Sequence, residues 1–256
     1  MPLGLTLGGF FFCTSKTDVT APQQCGAATA FSSSFNRVNG VGYNTALNTQ
    51  DTLSFIGASF EGINETGIIP FNSLTCPEGL SDGDGIQTAF TDPDTGSTNL
   101  KLYEYWEGDG WADLDLMEPV DDTVGLNIGS GAWFSSASPK SITIAGSVKK
   151  GTYIHTITDP LSIVASAFPV DFCPNGENVS WGCPDGSGIQ VPFTDPDTGS
   201  TNLKLYEYWE GDGWADLDMM EPISADCAIT TAGKGFWFVT GDPTSTTFAE
   251  VGPLAE

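Results

Sequence analysis

The sequence is poor in basic residues and in histidine. Its 256 residues include 8 lysines and arginines and one histidine, His155, against 33 acidic residues, so the formal net charge is −25. A surface of that sign repels nucleic acid phosphates and anionic lipid headgroups, which excludes both as expected partners. There is also no Cys-x-x-Cys spacing. With a single histidine, this excludes the usual zinc and thioredoxin-type sites.

Long apolar runs and helical patterns are missing as well. No stretch reaches the roughly 20 apolar residues that a membrane-spanning helix needs, and no segment shows a sustained helical period. The chain has instead 31 glycines, 16 prolines and 16 phenylalanines. This mixture is typical of short strands joined by tight turns around an aromatic core. We predict an all-β protein without membrane insertion.

A duplication dominates the sequence. Residues 90–119 and 193–222 differ only at Leu116, which is Met219 in the second copy. Matching segments on both sides extend the repeat, and the offset of 103 residues between the copies is the length of a small domain. We therefore predict two tandem homologous β-sandwich or barrel-like domains, residues 38–147 and 148–256, after an N-terminal strand segment and linker, residues 1–37.

Alternating side chains predict the strands of each copy. Residues 100–106 place a mostly apolar set on one face and an amphipathic aromatic set on the other: Leu100, Leu102, Glu104 and Trp106 against Lys101, Tyr103 and Tyr105. Such a strand belongs to a sheet with a core side and a solvent side. The turn-forming sequence of residues 92–96 precedes it, so we predict a β-hairpin with residues 86–90.

The N-terminus looks like the end of a third copy. Residues 3–21 parallel the closing strands of the first domain, but no opening strands precede them. Exposed apolar strand edges invite pairing. The segment could pack on a full domain, belong to a longer array, or complete a neighbouring subunit by strand addition. We favour the last, a head-to-tail contact that propagates into a filament. The predicted self-assembly residues are Leu3, Leu5, Leu7, Phe10, Phe11 and Phe12.

The cysteines are even in number. Six thiols in an acidic, glycine-rich chain predict disulfides and an extracellular or cell-surface location. The connectivity stays open, although Cys13–Cys25 and Cys173–Cys183 are the simplest local pairs. The disulfide candidates are Cys13, Cys25, Cys76, Cys173, Cys183 and Cys227.

Acidic turns are the only candidates for a metal. Asp-x-Asp spacing can supply several oxygens to calcium, and the weak candidates are Asp92, Asp94, Asp195 and Asp197. The sequence lacks the glutamate that completes an EF-hand loop, and turn aspartates commonly bond their own backbone. We favour the turn interpretation and commit to no metal or cofactor.

Enzymatic motifs are absent. Glu104 and Glu107 could be read as a glycosidase acid pair, but exact duplication would create two identical active sites in one chain. His155 has no counterpart in the first copy, which reads Asn44-Thr45 at that place. No serine-nucleophile elbow, phosphate loop or dinucleotide fingerprint occurs. We predict that the protein is not an enzyme.

The repeated aromatic residues have three interpretations. Large aromatics dominate cores first and subunit interfaces second. Beside acids and polar turns, they can also form a sugar-stacking platform in each copy, which makes a glycan a further candidate partner. They are Tyr103, Tyr105, Trp106 and Trp111, with the copies Tyr206, Tyr208, Trp209 and Trp214.

The repeated motifs suggest a family. The segments 41–45, 53–60, 85–87 and 92–96, with the closing Gly-x-Gly-Phe-Trp-Phe at 233–238, resemble secreted, β-rich tandem-repeat proteins of bacteria. The resemblance implies export and a β-rich fold, and it provides no catalytic residues. The N-terminus departs from it, because an exported precursor would begin with a signal peptide.

These observations converge on a structural role. We expect a subunit of an extracellular filament or surface appendage whose partners are copies of itself. The alternative is a calcium-dependent or carbohydrate-binding surface adhesin module presented in two copies, which would gain avidity from the duplication.

Overall fold

The computed structural model describes residues 41–48, 53–195, 197–240 and 246–254. Nearly all regular structure in these ranges is β-strand, with one 3₁₀ turn at Phe71–Ser73. The all-β prediction is confirmed. Within the described ranges no helix is long and apolar enough to cross a bilayer. Some predicted residues lie outside these ranges: Leu3, Leu5, Leu7, Phe10, Phe11, Phe12, Cys13 and Cys25.

Most strands of the first unit have an equivalent in the second unit. The first unit contains β1 (Val41–Asn48), β2 (Leu53–Gly57), β3 (Ile69–Pro70), β4 (Gly85–Thr91), β5 (Thr98–Trp106), β6 (Gly110–Asp113), β7 (Glu118–Pro119), β8 (Gly125–Leu126), β9 (Gly131–Ser135) and β10 (Lys140–Ser147). The second unit contains β11 (Thr152–Ile157), β12 (Leu161–Ala165), β13 (Val179–Trp181), β14 (Gly188–Thr194), β15 (Thr201–Trp209), β16 (Gly213–Asp216), β17 (Glu221–Pro222), β18 (Gly235–Val239) and β19 (Thr246–Val251).

Each unit has a large and a small antiparallel sheet. The large sheets have the equivalent orders β2-β9-β4-β5-β6-β7 and β12-β18-β14-β15-β16-β17. The small sheets are β1-β10 and β11-β19-β13, and the first unit adds the short pair β3-β8. β9 and β18 come late in their units and still occupy interior positions. Each large sheet is therefore complete only when its closing strand has paired.

The core of each unit lies between its two sheets. β10 buries every second side chain, as a strand with one covered face does. The first core includes Ile56, Ile86, Phe134, Ile142 and Ile144. The second core includes Ile157, Ile189, Phe236, Phe238 and Phe248. The tryptophans Trp111 and Trp214 are fully buried at equivalent positions.

The predicted hairpin is confirmed, and its core side is the aromatic face. β4 pairs with β5 so that Ile86 lies opposite Tyr103. Tyr103 is 7% exposed, and its ring centroid lies 4.9 Å from that of Phe71. Leu100, on the other face, is 47% exposed. The mostly apolar face of this strand thus points away from the core of its own unit.

The two large sheets meet through these outer faces. A cluster between them contains Phe55, Ile163 and Trp237, with Ala89, Trp133 and Leu161 packed around it. Phe55 contacts both tryptophans edge to face, with ring centroids 4.6 Å from Trp133 and 5.7 Å from Trp237. The face left uncovered by each core is therefore partly covered by the other unit.

The contact between the units is nearly symmetric. The Gly57 N–H donates to the Gly233 carbonyl at 2.8 Å, and the Ala165 N–H donates to the Gly129 carbonyl at 2.9 Å. Gly57 and Ala165 end equivalent strands, and Gly129 and Gly233 precede equivalent strands. Exchanging the units exchanges the two hydrogen bonds. The contact is therefore isologous in kind and closes on itself.

The repeated Gly-x-Gly motif permits this close approach. A Cβ atom on Gly131 would lie 2.7 Å from Ile163 Cγ2, and one on Gly235 would lie 3.0 Å from the Val164 carbonyl oxygen. Cβ atoms essentially never make a contact as short as the first and seldom make one as short as the second, so a larger residue would push the units apart. The motif that closes each unit in the sequence thus also forms its contact with the other unit.

Candidate interaction surface

An exposed apolar strip continues from the contact between the units. Ala89, which belongs to that contact, lies opposite Leu100 in the ladder, and Gln87 lies opposite Leu102. We call Leu100, Leu102 and Trp106 the first strip and Leu203, Leu205 and Trp209 the second strip. The exposed fractions are 47% for Leu100, 41% for Leu203 and 39% for Leu205, and the other members are half-buried.

The tryptophan of each strip is held by a glutamate on the same face. Trp106 Nε1 donates to Glu104 Oε1 at 3.2 Å, and Trp209 Nε1 donates to Glu207 Oε1 at 3.0 Å. The bond satisfies the indole N–H and fixes the ring beside the leucines. It also engages Glu104, the carboxylate that the sequence offered as one member of a glycosidase pair.

Both strips lie within the stretch that is identical in the two units. Residues 90–115 and 193–218 do not differ at any position. Packing in the core restrains Tyr103 and Trp111, but it does not restrain Leu100, which is nearly half exposed. Identical exposed leucines are what two surfaces with the same partner would retain.

A salt bridge supports the strand that carries each strip. Lys101 Nζ lies 2.6 Å from Asp113 Oδ2, and Lys204 Nζ lies 2.7 Å from Asp216 Oδ2. Burial of Asp113 favours its protonated form, but the hydrogen bonds from Lys101 and from the Asp115 and Leu116 N–H groups, together with the positive charge of Lys101, outweigh burial and lower the pKa of Asp113. The pair ties β5 to β6 on the face opposite the strip.

A second exposed apolar feature lies at the turn after β6 and after β16. Leu116 and Met117 are 65% and 64% exposed, and their copies Met219 and Met220 are 61% and 65% exposed. Met117 and Met220 have φ of 55°, a left-handed conformation that side chains other than glycine seldom adopt. Nothing in the sequence pattern indicated these turns as a surface feature.

The calcium candidates form the ends of the hairpin turns. Asp92 Oδ1 accepts hydrogen bonds from the N–H groups of Asp94 and Thr95, at 2.8 and 3.2 Å, and Asp195 repeats them. These backbone bonds favour the ionised carboxylate and lower the pKa of Asp92 and of Asp195. Among the described residues, no group of three or more His, Cys, Asp or Glu side chains could hold a metal ion.

His155 lines a cavity of about 460 Å³ between the units. Its Nε2 lies 2.6 Å from Glu250 Oε1, and Ser166 Oγ donates to Glu250 Oε2 at 2.6 Å. The imidazole stacks on Phe248, with ring centroids 3.9 Å apart. The glutamate stands between serine and histidine, so the imidazole has no direct bond through which to activate the hydroxyl, as a catalytic triad requires.

The four described cysteines are unbonded: Cys76, Cys173, Cys183 and Cys227. Cys183 is buried, which raises the pKa of its thiol to about 11. The local pair Cys173–Cys183 is not formed in this structure, because Cys173 Sγ faces the carbonyl groups of Ser224 and Ala225 instead. Spacing along the chain did not reveal this long-range neighbour.

No family model, no curated protein and no solved structure matches this chain. The resemblance to secreted bacterial repeat proteins therefore stays a prediction. The sequence analysis did not predict the two strips as a surface. The signal that could have indicated them is that the leucines of the strips are identical in the two units.

Proposed function

We propose that the protein is a structural subunit that assembles with copies of itself into an extracellular filament or surface layer. The observation that carries this proposal is the pair of sequence-identical, exposed apolar strips, one on each unit. They continue the sheet face that already packs unit against unit. A second copy of the chain is therefore the occupant that this face fits.

Exposed leucines supply the driving force. Full burial of one leucine side chain is worth about 1.5–3 kcal/mol, so partial burial of two leucines and a tryptophan per strip adds a few kcal/mol per contact. The inter-unit cluster of Phe55, Ile163 and Trp237 is an example of the same face packed in this way. Isolated apolar side chains need no explanation, but contiguous exposed patches mark interaction sites.

Two strips per chain favour growth over closure. One self-complementary strip would give a dimer and stop, because an isologous contact closes. With a strip on each unit, every subunit can bind two others, and the product is an open chain. The contact between the units is already used within the subunit, so growth requires surfaces outside it.

Charge opposes this assembly and makes it sensitive to salt. Each 256-residue chain carries a formal net charge of −25. At about 0.1 M ionic strength the Debye length is about 10 Å, so added salt screens the repulsion between subunits. We expect assembly to strengthen as salt is added, whereas assembly by ion pairs would weaken.

The N-terminal segment, residues 3–21, provides a second route to the same function. Leu3, Leu5, Leu7, Phe10, Phe11 and Phe12 were predicted as donor residues from the sequence alone. In both described units the closing strands β9 and β18 pair within their own unit. A donated strand would therefore add at an edge, such as β1, which pairs only with β10 in the described part of the chain.

Sedimentation velocity and negative-stain microscopy of designed variants test the proposal. We expect polymers from the wild type in high salt, discrete dimers from Leu100→Gln with Leu102→Gln, and monomers when Leu203→Gln and Leu205→Gln are added. Ile63→Gln is the matched control, because Ile63 is 69% exposed and lies outside both strips. It should polymerise like the wild type.

A deletion of residues 1–21 separates the two routes. If the deletion abolishes polymers while the four-leucine variant still forms them, strand addition carries the assembly. Monomeric wild-type protein at every salt concentration would overturn the proposed function.

Carbohydrate binding is the second candidate. The observation that favours it is the half-buried indole of Trp106, fixed by Glu104 and repeated at Trp209. Such rings can stack on sugar faces. The adhesin function would be supported instead if the wild-type protein stayed monomeric and bound glycans, and if the double variant Trp106→Ala with Trp209→Ala no longer bound them.

A further inference from the structure

Two cysteines meet at one turn of the second unit. Cys173 Sγ donates to the Ala225 carbonyl oxygen at 3.0 Å and lies 3.6 Å from the Ser224 carbonyl oxygen. The Cys227 N–H donates to the same Ser224 oxygen at 3.0 Å. A single carbonyl oxygen is thus a neighbour of both the Cys173 sulfur and the Cys227 backbone.

The ionisation of Cys173 agrees with this arrangement. Burial raises the pKa of its thiol, hydrogen bonds from the N–H groups of Asn175 and Cys227 oppose the rise, and the nearby thiol of Cys227 adds to it. The backbone and the thiol of Cys227 are therefore among the groups that act on the Cys173 thiol.

The other described thiols face different groups. Cys76 Sγ lies 3.4 Å from Glu78 Oε2 and 3.5 Å from the Gly79 carbonyl oxygen, in the first unit. Cys183 is buried, and Ser187 provides the hydrogen bond to its side chain. Among the described cysteines, Cys173 and Cys227 are the two whose contacts converge.

At the equivalent place the first unit has a short strand pair instead of the two cysteines. The repeat aligns Cys173 with Pro70 and Cys227 with Val124. In the first unit β3 and β8 pair here, and the Phe71 N–H donates to the Val124 carbonyl at 3.1 Å. The second unit retains only an isolated bridge between Phe172 and Thr230. The cysteines stand where the second unit has lost part of a ladder.

We propose that Cys173 and Cys227 form a disulfide bond that fastens this corner of the second unit. A disulfide requires Cα atoms about 4.4–6.8 Å apart. The Cys173 sulfur already contacts the carbonyl groups of Ser224 and Ala225, which belong to the turn that ends at Cys227. Cys227 is exposed and can turn its side chain toward Cys173 without disturbing a core.

An external disulfide of low molecular weight, such as oxidised glutathione, is the oxidant. The Cys227 thiolate attacks one sulfur of that disulfide and releases one glutathione thiolate. The Cys173 thiolate then attacks the Cys227 sulfur and releases the second. Both cysteines lose their protons, the protein loses two electrons, and one oxidised glutathione becomes two reduced molecules.

Peptide mapping of the full chain tests the proposal. The protein is incubated with oxidised or reduced glutathione, alkylated, and cut without reduction by trypsin and a glutamate-specific protease. Cleavage at Glu177 separates Cys173 from Cys183, and cleavage at Glu210 and Lys234 isolates Cys227. We expect a peptide cross-linked through Cys173 and Cys227 only after oxidation.

Thermal unfolding provides a second readout. A disulfide that closes the segment between Cys173 and Cys227 should raise the Tm of the oxidised protein by roughly 5–10 °C. Cys227→Val, which introduces the residue of the first unit, should remove both the cross-link and the rise. Cys183→Ser should remove neither. Cys173 joined to any other cysteine, or both thiols alkylated after oxidation, would overturn the proposal, whatever the assembly state of the protein.

Discussion

The two units share the strand order of their large sheets and their hairpins, yet each contains a different buried pair of ionisable side chains. In the first unit Lys140 Nζ lies 2.7 Å from Asp84 Oδ2, and in the second His155 Nε2 lies 2.6 Å from Glu250 Oε1. The repeat places Ser187 where the first unit has Asp84, and Asn44-Thr45 where the second unit has His155. Neither pair can therefore exist in the other unit.

The two buried pairs differ between the units because the residues of such a pair, and their hydrogen-bond partners, have to change together. A buried charge without a partner is costly, so its neighbours must change with it. Asp84 also accepts the Ser81 N–H at 2.8 Å, and Lys140 donates to the Gly79 carbonyl oxygen at 2.8 Å. The interiors of the units diverged as whole networks, whereas the exposed strips did not diverge.

Removing one charge from each pair should give the largest and most unequal effects. We expect Asp84→Asn to lower the free energy of unfolding by about 3–5 kcal/mol, because it leaves the Lys140 ammonium buried without its counter-charge. Glu250→Gln should cost about 1–3 kcal/mol, because the amide retains one acceptor oxygen for the hydrogen bonds that Glu250 receives from Ser166 and Ala167. Urea unfolding at pH 7.5 measures both values.

A double variant controls this comparison. Asp84→Asn combined with Lys140→Met removes both charges and should recover a large part of the loss, since the destabilisation comes from an unpaired charge and not from lost volume. Equal losses in the two single variants would contradict the asymmetry between the units.

The sequence predicted the local features of this fold and missed the long-range ones. The turn at Asp92 and the hairpin that follows depend on residues close in the chain, and both were predicted. Alternation showed that Leu100 and Tyr103 lie on opposite faces, but not which face is the core side, because that depends on distant partners such as Phe71. The neighbour of Cys173 was missed for the same reason.

Substitutions at the symmetric contact between the units should have an effect of intermediate size on stability. A Cβ on Gly57 would lie 2.4 Å from Ala165 Cβ and 3.0 Å from the Lys234 carbonyl oxygen. Gly57→Ala should therefore cost about 1–3 kcal/mol through overpacking. Gly188→Ala is the matched control, because its nearest neighbours would be 3.8 Å away. It should change stability by less than about 0.5 kcal/mol.

Tryptophan fluorescence adds a test of location. Trp133 and Trp237 lie in the contact between the units, so Gly57→Ala should change the emission of the folded protein and Gly188→Ala should not. If both variants lose stability equally, close approach of the units is not the cause.

The smallest effect concerns the middle residue of the Gly-x-Gly motif, which is Ser130 in the first unit and Lys234 in the second. Burial lowers the pKa of Lys234 from its ordinary value of 10.5 to about 8. Between these values the unfolded chain binds more protons than the folded protein, so this residue makes stability rise with pH. Below about pH 8 the lysine is charged in both states, and the full cost of burying the charge remains.

Lys234→Ser, which introduces the residue of the first unit, should therefore be more stable than the wild type at pH 7 by about 1–2 kcal/mol, and this advantage should shrink as the pH rises to 10. Chemical denaturation at pH 7, 8.5 and 10 measures it. Tyr103 and Cys183, whose pKa values are raised by burial, act in the opposite direction. Both proteins contain them, so the difference between the two curves isolates Lys234. An advantage independent of pH would mean that the lysine affects packing and not charge, and that the two units differ here in shape alone.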